Sequence, residues 1–79
     1  MSASSPEPLP DSFPDDTMFF SSMDDRYFCV AGKRILSLTP DGLLVPVSFD
    51  ALPFETFWLD EALFRKVAAR RGADAASRH

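Results

Sequence analysis

The chain has 79 residues, a net charge of −4, one cysteine and one histidine. That length allows one domain at most, and a body this small buries only about 60% of its unfolded surface, near the lower limit for unaided folding. A single cysteine excludes an internal disulfide, and one cysteine with one histidine falls short of a zinc ligand set. A partner or self-association is then the natural source of added stability.

The charge is divided along the chain. Residues 1–25 hold six acids and no base, whereas residues 26–79 hold six acids and eight bases, so an acidic arm precedes a mildly basic body. The opening MSASSPEPLPDS lacks the positive start and apolar stretch of a secretory signal, and no apolar run approaches the length of a membrane span. The expectation is a soluble protein of the reducing cytoplasm (the host cell's, if phage-encoded), with no membrane partner.

Residues 1–17 are rich in Pro, Ser and Asp, which disfavours helix interiors and central strands and predicts a disordered acidic arm. Residues 13–25, FPDDTMFFSSMDD, are harder to place. Phe13, Met18, Phe19, Phe20 and Met23 are too many large apolar groups for a solvated tail, since an exposed Phe forgoes about 1.5–3 kcal/mol of burial. Thr17–Ser22 therefore reads as a fourth strand or helical turn completing the core, as a recognition segment that folds on a partner, or as an autoinhibitory arm over the body's own basic helix.

Residues 26–49 read as a three-stranded antiparallel meander. RYFCVAG is strand-like, and Ala31-Gly32-Lys33 supplies a turn. RILSLT alternates, with Leu36 and Leu38 on one side. Pro40-Asp41-Gly42 predicts a bulged hairpin with glycine in the left-handed position. In LLVPVSF the expected inward face is Leu43, Val45, Val47 and Phe49, with Pro46 on the opposite parity marking an edge strand.

Residues 50–58, DALPFETFW, form a connector dense in aromatics. LDEALFRKVAARRG then predicts a helix, with acids in the first turn, bases towards the end and Gly72 just past the stop. Leu59, Leu63, Phe64, Val67 and Ala68 share its apolar face, and Glu61 pairs with Arg65. Residues 73–79 are expected to fray. The fold expected is α+β: a three- or four-stranded antiparallel sheet covered by one C-terminal amphipathic helix, spanning residues 18–72 as a single domain behind an acidic Pro-rich N-terminal arm.

No catalytic constellation emerges. The only histidine, His79, is the last residue, and a general base needs a fixed position. Cys29 sits mid-strand and reads as a buried inert thiol, with an intermolecular disulfide or reactive thiol as the alternatives. There is no phosphate loop or paired ligand motif, so neither an enzyme, a cofactor nor a metal is expected. Lys33, Arg34, Arg65, Lys66, Arg70 and Arg71 form either a solvated basic face or a nucleic-acid footprint. The acidity of the whole chain argues against direct nucleic-acid binding.

The stretch from Ile35 to Val67, with Asp41-Gly42, Asp50-Ala51-Leu52, Asp60, Leu63, Phe64 and Val67, resembles a short uncharacterised bacterial family found among toxin–antitoxin neighbours. That resemblance implies no catalytic residue. In general type the chain resembles the small, acidic, single-domain phage inhibitors that include anti-CRISPR proteins. The leading expectation is therefore a non-enzymatic binding protein that inhibits or modulates a larger, nucleic-acid-handling partner. It would dock an acidic surface on the partner's basic site, with Asp15, Asp16, Asp24 and Asp25 supplying charge and Phe19, Phe20 and Met23 as anchors. The alternatives are an antitoxin-class partner of a small toxin and an accessory subunit of a larger assembly. A homodimer through the Pro46 edge or Cys29 is compatible with each.

Overall fold

The computed structural model describes residues 5–77. It is α+β, with strands β1 (Met18–Ser21), β2 (Tyr27–Ala31), β3 (Arg34–Leu38), β4 (Leu44–Val47) and β5 (Phe57–Leu59), and one helix, α1 (Glu61–Ala76). The strands form one antiparallel sheet in the order β4-β3-β2-β1-β5. The sheet thus has five strands rather than three or four.

Three tight turns generate the first four strands. In the β1–β2 turn, Ser22 N–H donates to the Arg26 carbonyl and Asp25 takes φ 61°. Gly32, at φ 64°, opens the two-residue β2–β3 turn. Gly42, at φ 84°, closes the β3–β4 turn as Pro40-Asp41-Gly42 predicts. There Thr39 Oγ1 also accepts from Leu43 N–H at 2.9 Å.

The β4 alternation runs opposite to expectation. Leu44 and Pro46 face the core, with Leu44 paired to Leu38 and Pro46 to Leu36, while Val45 and Val47 lie on the other face. Both parities of LVPV are apolar, so alternation alone does not choose a face; the turn fixes the register.

One face of the sheet carries Phe19, Cys29, Leu36, Leu38 and Leu44, which pack beneath Phe64 and Ala68 of α1. Phe64 is fully buried, with its ring 5.0 Å from that of Phe19. The helical stripe is narrower than predicted: Leu63 is exposed and Leu59 belongs to β5. Asp60 occupies the N-cap position, and the predicted Glu61–Arg65 pair forms at 2.9 Å. The helix does not stop at Gly72 but runs on to Ala76, ending where Ser77 N–H and Oγ–H bond the Ala73 carbonyl. Residues 73–76, rich in alanine, favour the continuation, so the fraying expected of residues 73–79 does not hold there. Arg78 and His79 lie outside the described residues.

Residues 5–17 also differ from expectation, because they pack on the body and are not a free arm. Glu7 exchanges both backbone hydrogen bonds with Leu44, extending the sheet past β4. Leu9 and Phe13 then pack against the core on the helix side. The Phe13 ring meets Phe19 edge-on at 5.0 Å, and the Arg65 guanidinium covers it at 4.7 Å. Arg65 also donates to the carbonyls of Pro10 and Asp11. Phe13 supplies apolar area that a core of this size needs, which offsets the ordering of a proline-stiffened segment.

The chain must return from β4 at one sheet edge to β5 at the other. Residues 48–56 span that distance of about 19 Å with a reach of about 30 Å. They include a short 3-10 turn at Phe49–Ala51 and run along the face opposite α1, where Phe49, Leu52 and Phe54 line a cleft with Phe20. Phe28 lies on that same face, paired with Phe20, and is 2% exposed.

Candidate functional site

Two strands that the meander reading omits, β1 and β5, set the geometry of the most exposed apolar surface. In their ladder Phe19 pairs with Leu59, Phe20 with Trp58 and Ser21 with Phe57. Phe20 and Trp58 therefore stand side by side on the face opposite α1, with ring centroids 4.8 Å apart. Trp58 is 72% exposed, and the connector adds Phe49 at 74% and Phe54, whose side chain is wholly in solvent. Phe20, Phe49, Leu52, Pro53 and Phe54 enclose a cleft of about 390 Å³ with Asp50 at its wall.

Clustered exposed apolar surface is a feature of interaction sites, ligand grooves and aggregation-prone faces. From Leu44 to Phe64 the chain has four acids, Asp50, Glu55, Asp60 and Glu61, and no base. That stretch of the chain carries one sign of charge, whereas the β1–β2 turn brings Arg26 within 3.6 Å of Asp24.

The aspartates singled out in the sequence fall at the ends of the same ladder and are not one cluster. Asp15 and Asp16 occupy the turn closed by the Thr17 N–H bond to Pro14, just before β1. Asp24 and Asp25 lie in the turn just after it, separated from the first pair by the length of β1, about 14 Å. Because β5 runs antiparallel to β1, Asp60 falls at the Asp15–Asp16 end and Glu55 at the Asp24–Asp25 end. Acidic groups thus lie at both ends of the Phe20–Trp58 pair, with Asp24 paired to Arg26 at one of them.

The anchors expected from sequence separate. Phe19, 5% exposed, belongs to the core and is withdrawn from the candidate surface. Phe20 is half-buried against Trp58, and Met23 stands 77% exposed at the tip of the β1–β2 turn. Phe49, Phe54 and Trp58 are the residues that sequence reasoning passed over. The signal for Phe54 and Trp58 was present in DALPFETFW, where Leu52, Phe54, Phe57 and Trp58 crowd a connector that should be polar, whereas Phe49 reads in the sequence as a strand residue.

Three of the bases singled out in the sequence are engaged within the fold. Arg65 is committed to Glu61, Phe13 and the arm carbonyls, and Arg34 to Glu7 at 3.1 Å. Arg71 donates to the carbonyls of Asp25, Leu38 and Thr39 and lies 5.0 Å over the Tyr27 ring. Residues 10–13 lie over the start of the helix through the Pro10 and Asp11 carbonyls and the Phe13 ring, not through aspartate side chains.

Cys29 is fully buried in mid-sheet between Phe19 and Leu36. Burial pushes its thiol from an ordinary 9.0 up to about 11, against a smaller opposing pull from the Arg34 guanidinium. Such a thiol is a poor nucleophile at neutral pH. No described helix is long and apolar enough to cross a membrane.

In comparisons with known proteins, no family model matches the chain, and no curated protein or solved structure matches it.

Proposed function

We propose that the chain is a non-enzymatic protein-binding module that docks its β1–β5 surface on the basic site of a larger, nucleic-acid-handling partner and thereby inhibits or modulates it. The observation that supports this reading is the exposed set of Phe49, Phe54 and Trp58, framed by Asp50, Glu55 and Asp60 with no base in that part of the chain. Aromatic anchors supply desolvated contact area, while the acids steer the encounter and compete with phosphate for the partner's lysines and arginines. Asp15, Asp16, Asp24 and Asp25 extend the acidic frame at both ends of β1. Phe20 and Met23 complete the apolar part.

The test is capture from bacterial lysate with the full chain and its Phe54→Ala/Trp58→Ala variant, followed by competition against the nucleic acid that the captured protein binds. The wild-type chain should displace that nucleic acid and the variant should not. Raising ionic strength from about 0.1 M to about 1 M, which shortens the screening length from about 10 Å to about 3 Å, should abolish capture. Equal capture by both chains, or capture indifferent to salt, would remove the proposal. A stoichiometric complex with a small protein and no displaced nucleic acid would move the assignment to the antitoxin class.

A further inference from the structure

The two edges of the sheet are treated differently. On β4, Glu7 takes both backbone groups of Leu44, and Pro46 has no N–H to offer. On β5 nothing comparable is present among the described residues. Phe57–Leu59 contains no proline and no lysine, pairs only with β1, and leaves Phe57 52% and Trp58 72% exposed. An edge strand that no other segment covers is a template for another strand.

We propose that the outer edge of β5 receives an extended segment of the partner as a further antiparallel strand, carrying a basic residue at each end. This rests on the docking function above and names the form its ligand takes. Glu55 lies two residues before the strand and Asp60 directly after it, extended at φ −78° and ψ 148° with its carbonyl accepting from Phe64 N–H. A six-residue segment laid along 55–60 therefore meets a carboxylate opposite each terminus. Its side chains fall alternately beside Trp58, continuing the Phe20–Trp58 row, and beside Phe57 on the other face, so that valines at its third and fifth positions lie on the Trp58 side. The same charges disfavour a second copy of this chain. Antiparallel self-pairing brings Glu55 of one copy to the Asp60–Glu61 corner of the other at both ends, and like charges facing across strands are destabilising.

The experiment follows the backbone amides of the isotope-labelled full chain by NMR during titration with end-blocked peptides. The first is Lys-Thr-Val-Thr-Val-Lys, the second replaces both lysines by glutamates, and the third replaces the central Val-Thr by Pro-Pro. The first should shift the amides of residues 55–60. The glutamate peptide should bind more weakly, through repulsion, and the proline peptide about tenfold more weakly, the equivalent of one or two lost hydrogen bonds. Equal binding of the proline peptide would mean side-chain attraction alone and would overturn the added strand while leaving the docking function standing. Shifts confined to Phe49, Asp50 and Phe54 would do the same. No shift with any peptide also overturns the strand, whereas failure of the docking function itself shows as lysate capture that survives Phe54→Ala/Trp58→Ala.

Discussion

Gly42 and Gly72 meet backbone to backbone. A Cβ on Gly42 would lie 2.8 Å from the Gly72 nitrogen and 3.1 Å from its Cα, and one on Gly72 would lie 3.6 Å from the Asp41 carbonyl oxygen. The β3–β4 turn is thereby seated on the helix, and the glycine that looked like a helix stop is where the turn approaches. Gly42→Ala should destabilise the fold by more than about 2 kcal/mol, combining left-handed strain with backbone collision. Gly32→Ala is the control: φ is 64° there, but nothing lies within 4 Å, so only the strain of about 1–2 kcal/mol applies. Urea unfolding of the two variants checks this, and equal losses would mean that the turn does not rest on the helix.

The arm should behave as core. Phe13→Ala removes an aromatic packed on Phe19 and Phe64 and should lower stability by about 1–3 kcal/mol, less than for a fully buried Phe because Phe13 is only half-buried. Thermal unfolding that is unchanged by the substitution would return residues 5–17 to the status of a detachable arm.

The exposed aromatics should separate binding from stability. Phe54→Ala should change unfolding free energy by less than about 0.5 kcal/mol, and Trp58→Ala by about 0.5–1.5 kcal/mol through its stacking on Phe20. Both should abolish partner capture. A large loss of stability on Phe54→Ala would show that the ring is packed, not offered.

Cys29 should be silent in the native state. Alkylation at pH 8 should be slow until denaturant is added. Since burial raises the thiol's folded value to about 11 from 9.0, the thiol's contribution to stability is complete below pH 9 and is lost as pH rises from about 9 towards 11, because the unfolded chain ionises first. Cys29→Ala should flatten that part of the pH profile while lowering stability at neutral pH. Rapid alkylation of the native protein would contradict the buried placement.

Ser22 offers a smaller test. Its side-chain oxygen is buried without a hydrogen-bond partner, so Ser22→Ala should leave stability unchanged or raise it by up to about 1 kcal/mol. A clear loss, measured by the same unfolding titration, would show that the hydroxyl is bonded in solution.

What the sequence determined by itself was local. Pro40-Asp41-Gly42 specifies its turn because each residue suits one backbone conformation. The Glu61–Arg65 pair and the acids at its start specify a helix, although its last turn, once it runs on to Ala76, holds no base, and the strands around Cys29 and Leu36 follow from their aromatic and aliphatic runs. The tertiary structure decided whatever depended on residues distant in the chain. Phe57–Leu59 is too short to announce a strand and becomes one only because β1 lies beside it. The inward parity of β4 was open, since Val45 and Val47 are as apolar as Leu44 and Pro46, until pairing with β3 chose. Gly72 reads as a stop in isolation and as a contact once Gly42 is against it. The candidate surface has the same origin: its acids were visible one by one, but only the antiparallel β1–β5 ladder carries Asp60 to the Asp15–Asp16 end and Glu55 to the Asp24–Asp25 end, with Trp58 exposed between them.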